Sequence, residues 1–456
     1  MSSTIPNSPR FRVGLSFPLL GALLLTLLIA GGASRGDVLG QVLVRGIAWL
    51  ALVIAVLFGP APELRRAKPV LLLLLAALGL ALLQLVPLPP QLWAGLPGRD
   101  LFTQAAVLTG QEQPWRPLAI VPGGAANAAG SLVVPFAVLV LATSLSERER
   151  AWLPGVLLGS VLASTLIGLL QFSGVGLNNP LINDPSTQVG GTFANRNHFA
   201  LFLAFGCLLA PVWPFLGGRR SGWRGPVALG LALLFVLTIV AAGSRAGLVL
   251  GALALLIGMV AAGDGIRREM RRAPRWAFPA LVAAVVASVG IAVLVSVTAG
   301  RAVAIDRVLV LDAGQDMRSR ALPTVISMIR QYFPAGSGLG GFDPIFRLHE
   351  PFGLLKPTYF NHAHNDLLEV VLEAGLPGLA LLASALIWWS WASVTAWRRA
   401  GTLPKLGSAM LLLVIVASAF DYPARTPMIM AMTVIAGIWL SDRAEGRGAS
   451  ALRHGA

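Results

Sequence analysis

Long apolar runs alternate with short polar connections from one end of the chain to the other. Each run is close to the ~20 residues an α-helix needs to cross a bilayer. Roughly twelve can be marked: 13–32, 38–58, 69–86, 130–145, 152–172, 198–216, 226–243, 246–262, 277–298, 376–396, 406–420 and 428–441. The pattern predicts an all-α polytopic membrane protein of about 12 transmembrane helices. The first run follows a polar, basic stretch at 1–12. It is too long for a signal-peptide core and has no small-residue cleavage site, so it reads as the first anchor.

Three connections are long: about 87–129, 173–197 and 299–375. They divide the chain into helices 1–9 with two sizeable loops (1–298), a large loop (299–375), and helices 10–12 with a tail (376–456). Loops this long within a compact protein are usually functional. Inside the largest, Ala321 to Phe333 has helical spacing, with Leu322, Val325, Ile326, Ile329, Tyr332 and Phe333 as one stripe. That predicts an amphipathic helix at the membrane interface or packed on the bundle, ended by Pro334. The glycines of Gly336-Ser337-Gly338-Leu339-Gly340-Gly341-Phe342 form a flexible turn that can approach a ligand closely. Residues 364–374 form a short helix that Gly375 and Pro377 interrupt. On it Asp366, Glu369 and Glu373 share a face, and the membrane span begins near Leu376. No sequence repeat stands out.

Composition sharpens the picture. The chain is 56% hydrophobic and only 12% charged, about half the charge of a soluble domain. Its net charge of +15 could point to nucleic acid, but the arginines cluster between apolar runs rather than along one face. Arg10 and Arg12; Arg65, Arg66 and Lys68; Arg148 and Arg150; Arg219, Arg220 and Arg224; Arg267, Arg268, Arg271, Arg272 and Arg275; Arg398, Arg399 and Lys405; and Arg443, Arg447 and Arg453 fall on every second connection and at both termini. The positive-inside rule makes both termini cytoplasmic, and the long loops face outward, periplasmic in a bacterium. The single cysteine, Cys207, lies in an apolar run and reads as a packed small hydrophobe.

The chemistry-bearing residues sit on the outward side. Asn361-His362-Ala363-His364-Asn365-Asp366-Leu367-Leu368-Glu369 holds two of the five histidines among carboxylates and amides. A neutral imidazole beside Asp366 or Glu369 is a competent general base. Asn365 or Asp366 could equally cap a helix, with the histidines as interface residues. A His-x-His pair could bind a metal, but no further ligand stands at a recognisable spacing, so no metal is expected. Gly190 to Phe199 (GGTFANRNHF) runs glycine, polar, basic, apolar into a span. Arg196 with helix amides makes an anion site there; the plain alternative is an interfacial anchor capped by Asn195. Arg245 lies in a very short outer turn at membrane depth, to meet an anion or snorkel to headgroups. Arg318 and Arg320 precede the amphipathic helix and read first as a solvated flank. Arg45 lies mid-span and either pairs with an acceptor or lines a cavity. His198 reads as a residue that opens its helix, and His349 has no supporting pattern. Arginines suit a pyrophosphate and histidine suits deprotonation of a hydroxyl. A pyrophosphate-linked donor attacked by a hydroxyl acceptor needs both.

These residues resemble the O-antigen ligase and polymerase superfamily of bacterial envelope glycosyltransferases. The likeness rests on Gly191-Thr192-Phe193-Ala194-Asn195-Arg196-Asn197-His198, Ser244-Arg245-Ala246-Gly247, Gly338-Leu339-Gly340-Gly341-Phe342, and His362-Ala363-His364-Asn365-Asp366-Leu367-Leu368 with Gly375 and Gly378. It covers about residues 130–440. The resemblance implies a metal-independent, inverting transfer of a glycan from undecaprenyl pyrophosphate, without a cofactor, at the periplasmic face of the bacterial inner membrane. The acceptor would be lipid A–core for a ligase or a growing glycan for a polymerase; a related branch glycosylates proteins. It implies His364, with His362, as the base, and Arg196, Arg245 and Arg320 as pyrophosphate ligands. Asn195, Asn197, His198, Asn365, Asp366 and Glu369 would support them. From proximity in the sequence alone, Asp366 would orient one histidine if both are required. A transporter or flippase of a lipid-linked anionic substrate is the competing class; it predicts charges near the bilayer midplane and inverted repeats. An envelope scaffold would give His364 no role.

Overall fold

A computed structural model describes residues 14–182, 188–218, 220–271, 317–355, 360–398 and 401–442. The ninth apolar run (277–298), parts of the largest loop, both chain ends, and Arg219, Arg272, Arg275 and Arg399 lie outside the described residues.

The apolar runs fold as helices because a backbone in hydrocarbon must satisfy its own hydrogen bonds. They are α1 (Ser16–Ala30), α2 (Leu39–Phe58), α3 (Lys68–Leu83), then α4 (Pro90–Ala94) and α5 (Asp100–Leu108) in the first long loop. There follow α6 (Pro122–Ser131), α7 (Val133–Thr143), α8 (Glu147–Arg150), α9 (Leu153–Phe172), α10 (Arg196–Val212), α11 (Arg224–Ala242), α12 (Arg245–Ala261) and α13 (Gly263–Met270). Next come α14 (Met317–Tyr332), α15 (Phe342–His349), α16 (Asp366–Arg398), α17 (Thr402–Ser418) and α18 (Pro427–Ser441). Among the described residues seven helices are long and apolar enough to cross a membrane. The pair α12 and α13, bent by 66°, makes an eighth, and α1, α17 and α18 are shorter apolar helices. The chain is a polytopic α-helical membrane protein.

The first long loop is more ordered than its sequence predicts. Proline and glycine punctuate it, yet β1 (Pro87–Leu88) pairs antiparallel with β2 (Arg116–Pro117), and the span expected from 130 starts at Pro122. Arg99 is fully buried there. It donates to Pro97 O, Leu118 O and Gly336 O at 3.1, 2.9 and 3.0 Å, tying this loop to the glycine-rich turn.

Helix α10 is the centre of the bundle. It is apolar all round, as a helix with protein on every side should be, and His198 to Ala210 are buried, Cys207 included. It packs on α9, α11, α12 and α17. Gly247 of α12 brings two backbones together: a Cβ there would lie 2.4 Å from that of Ala200.

Helix α14 differs from its expected stripe. Val325 and Tyr332 are buried with Ala321 and Met328, against Phe342 and Phe346 of α15, Phe360 and Leu372. Leu322, Ile326 and Phe333 remain 42%, 37% and 39% exposed. The sequence stripe merged two adjacent faces: one packs on α15 and α16, and the other stays open.

Helix α16 contains the predicted interruption. Gly375 has φ 57° and ψ −142°, a non-helical conformation that breaks the helix into two arms. The glycine-rich turn docks on the break: Ser337 N donates to Leu372 O, Gly338 N to Glu373 O and Leu376 N to Pro334 O, at 2.9, 2.8 and 2.9 Å. A Cβ at Gly375 would stand 2.0 Å from Pro334 O. Gly375→Ala therefore combines an unfavourable φ with a backbone clash. We expect it to lower the thermal unfolding midpoint in detergent sharply or to abolish folded yield; an unchanged midpoint would contradict this geometry.

Candidate active site

The ends of several helices meet at one end of the bundle. Ala194 N and Met428 N donate to Gly32 O and Gly31 O, and Asp366 N to Asp421 O, at 3.2, 3.1 and 3.2 Å. The basic connections lie at the other end, where Arg66 pairs with Glu63 and Glu147, and Arg150 with Glu63.

Two histidine–carboxylate pairs stand side by side. His362 Nδ1 donates to Glu369 Oε1 at 2.8 Å, and His364 Nδ1 to Asp421 Oδ1 at 3.1 Å. In each ring this leaves Nε2 as the nitrogen that can take a proton. The expectation that Asp366 orients a histidine is not what the structure shows. Asp366 instead accepts from Ser418 Oγ, Ala424 N and Arg425 Nε at 3.1, 3.1 and 3.2 Å. Asp366 and Glu369 share a face of α16 and both meet Arg425, but Asp366 is taken up by Ser418 and Ala424 while Glu369 reaches His362. The Tyr422 ring lies between the three histidines, 5.0, 4.2 and 4.9 Å from His198, His362 and His364. His364 has φ 51°, a left-handed conformation that costs a non-glycine residue about 1–3 kcal/mol. Such strain persists where surrounding contacts over-determine it, as they do here.

Asp421 is the hub. It is 4% exposed. Asn195 Nδ2 and Asn197 Nδ2 donate to its Oδ2 at 3.3 and 2.6 Å, Arg318 Nη2 lies 3.4 Å from it, and Tyr422 N donates to Oδ1 at 3.0 Å. Burial pushes its carboxyl up. The hydrogen bond from His364 and the charges of His198, Arg318 and His364 outweigh that and hold it well below the usual carboxylate range. It is thus ionised at every working pH and can fix the His364 tautomer. Burial and the Asp421 charge push the Tyr422 phenol up to about 12, so it stays protonated. The sign for stability follows from Asp421's depressed value. Its contribution is fully present above the unfolded carboxyl at about 3.9 and fades only as pH falls below that toward its folded value. Unfolding midpoints measured down a pH series should therefore carry an acid limb below about pH 4 that Asp421→Asn reduces.

Two helix N-termini frame this hub. Asn195 caps α10, accepting from Asn197 N at 2.8 Å, and Ser244 caps α12, accepting from Gly247 N at 3.0 Å. Ser244 Oγ donates to Asn197 Oδ1 at 2.8 Å, so the two caps are joined. Arg196 and Arg245 are the first residues of these helices, Arg196 half-buried and Arg245 exposed. Two positive helix ends, each led by an arginine, attract an anion. The amides of Gly190 and Gly191 do not join them: both donate to Gln171 Oε1, at 3.0 and 2.8 Å. Arg320 is exposed and donates to Gly353 O at 2.7 Å, whereas Arg318, two residues earlier, reaches Phe420 O at 2.8 Å and the hub. His198 is buried, its Nδ1 2.9 Å from Thr426 Oγ1. Asn365 caps α16, accepting from Leu368 N and donating to Ala419 O, both at 3.0 Å.

Beside the histidines, Arg425 joins three buried carboxylates. It reaches Asp366 at 3.2 Å, Glu369 at 3.3 Å and Glu373 at 3.1 Å. Burial lowers its guanidinium, but the three carboxylates together raise it above the usual arginine range. Glu369 Oε2 also accepts from Ala363 N at 2.7 Å, clamping the His-x-His segment. The sequence reading missed Asp421, Tyr422 and Arg425. The signal was present: charges in the brief turn between two apolar runs, which singled out Arg245, mark this turn equally. A cavity of about 810 Å³ opens on the same cluster, lined by Asn361, His362 and Arg425 at one end and by Trp388 and Trp389 far along α16.

The fold and site define a polytopic helical membrane protein with paired histidine–carboxylate groups beside arginine-led helix ends. Residues 229–383 match the family model described as O-Antigen ligase, which supports a likeness of this part of the chain to the O-antigen ligase and polymerase superfamily, in general a glycosyltransferase type. The match includes Arg245, Arg320, His362, His364 and Glu369 and ends before Asp421, Tyr422 and Arg425. No curated protein matches the sequence.

Proposed function

We propose that this protein transfers a glycan from undecaprenyl pyrophosphate to an acceptor sugar hydroxyl as an O-antigen ligase, with lipid A–core as acceptor. The observation that carries this reading is the His364–Asp421 pair beside two joined helix N-termini led by Arg196 and Arg245. His364 Nε2 takes the proton of the acceptor hydroxyl. The oxygen attacks the anomeric carbon from the face opposite the pyrophosphate, the new glycosidic bond forms, and the bond to the phosphate oxygen breaks with inversion. The leaving group departs as undecaprenyl pyrophosphate, and Arg196 and Arg245, with Arg320 as a third, take up its charge without a metal ion. His362 is the second candidate base. Asn195, Asn197 and His198 support the hub, and Glu369 orients His362.

The basic connections gather at the end away from the histidines. By the positive-inside rule that end is cytoplasmic, as are both termini, and the site faces the periplasm from the inner membrane. The polar candidates cluster at one end rather than at mid-depth, which favours a transferase over a transporter.

The test is a gel profile of lipopolysaccharide and secreted polysaccharide from a deletion strain complemented with wild type, His364→Ala or Arg245→Ala, with expression matched. Wild type should restore capped lipopolysaccharide, while long lipid-linked chains accumulate in both variants. Single attached repeat units or loss of secreted polymer in the variants would make it a polymerase of the same superfamily. Variants that behave as wild type would overturn the transferase assignment.

A further inference from the structure

A second surface stands at the opposite end of the bundle from the histidines. There α12 gives way to α13 through a bend of 66°. Helix α13 is fastened to the connection between α10 and α11. A Cβ at Gly265 would lie 2.4 Å from the Phe215 ring, and Ser221 N donates to Glu269 Oε1 at 3.0 Å. With α12 crossing the bilayer, this bend lays α13 close to the membrane plane. Its residues then sort by helical spacing. Ile266, packed on the bundle, and Met270, 43% exposed, share one face, and the exposed Arg267 and Arg271 share the next. An apolar face flanked by arginines is the pattern of a helix that rests in the interface of a leaflet.

Beside α13, the Arg224 guanidinium lies 5.0 and 5.9 Å from the ring centres of Trp213 and Trp223. Trp223 is 69% exposed. Tryptophan settles at headgroup level because its ring is apolar and its N–H polar, so these rings mark the depth of the interface. Charge divides this end of the bundle in two. Residues 63–68 and 147–150 carry five cations against three carboxylates. Glu63 holds Arg66 and Arg150 there, and Glu147 also holds Arg66. Residues 219–224 and 263–272 carry seven arginines against two carboxylates. Among the described residues no carboxylate lies within ion-pair distance of Arg224, Arg267 or Arg271. Cations in excess at an interface draw lipids of negative charge.

We propose that α13 and the connection from Trp213 to Arg224 form a docking surface for anionic phospholipids of the adjoining leaflet. Arg224, Arg267 and Arg271 meet the headgroup phosphates, and Met270 enters the acyl boundary. The surface is tied to the candidate site by backbone contact. Cβ atoms at Gly247 and Gly258 would lie 2.4 Å from Ala200 Cβ and 2.7 Å from Leu208 O. Helices α12 and α10 thus run backbone against backbone from this surface to the ends that Arg245 and Arg196 lead. Lipid held here fixes the depth of that pair. The inference rests on the proposed topology only in naming the leaflet as cytoplasmic, and it draws nothing from the transfer reaction.

The experiment titrates the full-length protein in detergent with phosphatidylglycerol or phosphatidylcholine of the same acyl chains and reads retained lipid by native mass spectrometry. Wild type should retain phosphatidylglycerol at concentrations at least about tenfold lower than phosphatidylcholine. The combined Arg224→Gln, Arg267→Gln and Arg271→Gln variant should lose most of that preference, and lysine at the same three positions should keep it. Met270→Glu, a single change at an exposed position, should also lower retention. Arg65→Gln with Arg148→Gln, two exposed arginines of the other basic connections, should retain lipid as wild type does. Phosphatidylglycerol should raise the unfolding midpoint of wild type and leave that of the triple glutamine variant unchanged. Equal retention of the two lipids by wild type, or an undiminished preference in both the triple glutamine variant and Met270→Glu, overturns the proposal. So does an equal loss in the Arg65 and Arg148 variant, which would make the preference a property of diffuse charge. Displacement of the retained lipid by inorganic phosphate would assign the arginines to a free anion and overturn it as well. None of these readings uses glycan transfer, so the surface and the transferase reading stand or fall separately.

Discussion

Glycan transfer is expected to fall by about 10²–10⁴-fold in His364→Ala, the range for losing a positioned general base. Asp421→Asn should reproduce much of that loss although it removes no group that touches substrate. The reason lies in the hub. Ionised Asp421 accepts the Nδ1 proton of His364 at 3.1 Å and presents Nε2 as the basic nitrogen. An asparagine there can offer its amide N–H instead, which favours the opposite tautomer, and in a comparable arrangement such a change costs up to ~10⁴ in kcat. The effect should appear in kcat with donor KM little changed, because the arginines at the helix ends keep their places. A transfer assay with purified protein in detergent measures both parameters. His362→Ala is the discriminating comparison, since His362 has its own carboxylate, Glu369, at 2.8 Å. An inactive His362→Ala alongside an active His364→Ala would reassign the base.

The largest structural effect is expected at Arg425. It is the cation that three buried carboxylates share, with Glu369 and Glu373 fully buried and Asp366 5% exposed. Removing one partner of a buried ion pair typically destabilises by about 3–5 kcal/mol, because the other charge stays behind. Here three charges stay behind, so Arg425→Leu should leave little folded, monodisperse protein after extraction. Arg425→Lys should be intermediate: an ammonium lacks the planar fork that lets one side chain engage several carboxylates. Combining Arg425→Leu with Asp366→Asn and Glu373→Gln should recover part of the yield by removing the stranded charge. Size-exclusion profiles and unfolding midpoints measure all three. A wild-type midpoint for Arg425→Leu alone would mean that the carboxylates are neutral or otherwise partnered.

Much of this architecture was legible before any coordinates. Runs of about 20 apolar residues leave a chain little choice but helices across a bilayer, and the kink was written in Gly375 and Pro377. The two-histidine motif, Arg196 and Arg245 stood out because polar groups at a membrane boundary are costly enough to be informative. The α14 stripe misled, because two adjacent apolar faces look like one when neither neighbour is known.

Local sequence thus determined the helices, their polar ends and the candidate chemistry, since burial in hydrocarbon is a property of each segment by itself. Only the tertiary structure decided the pairings. His364 finds its carboxylate 57 residues away at Asp421 rather than two residues away at Asp366. Asn197 meets Ser244 and Asp421 across three helix ends. Arg425 gathers Asp366, Glu369 and Glu373 from another helix. Hydrogen bonds and ion pairs depend on distance and direction, and for residues far apart in the chain helix packing sets both.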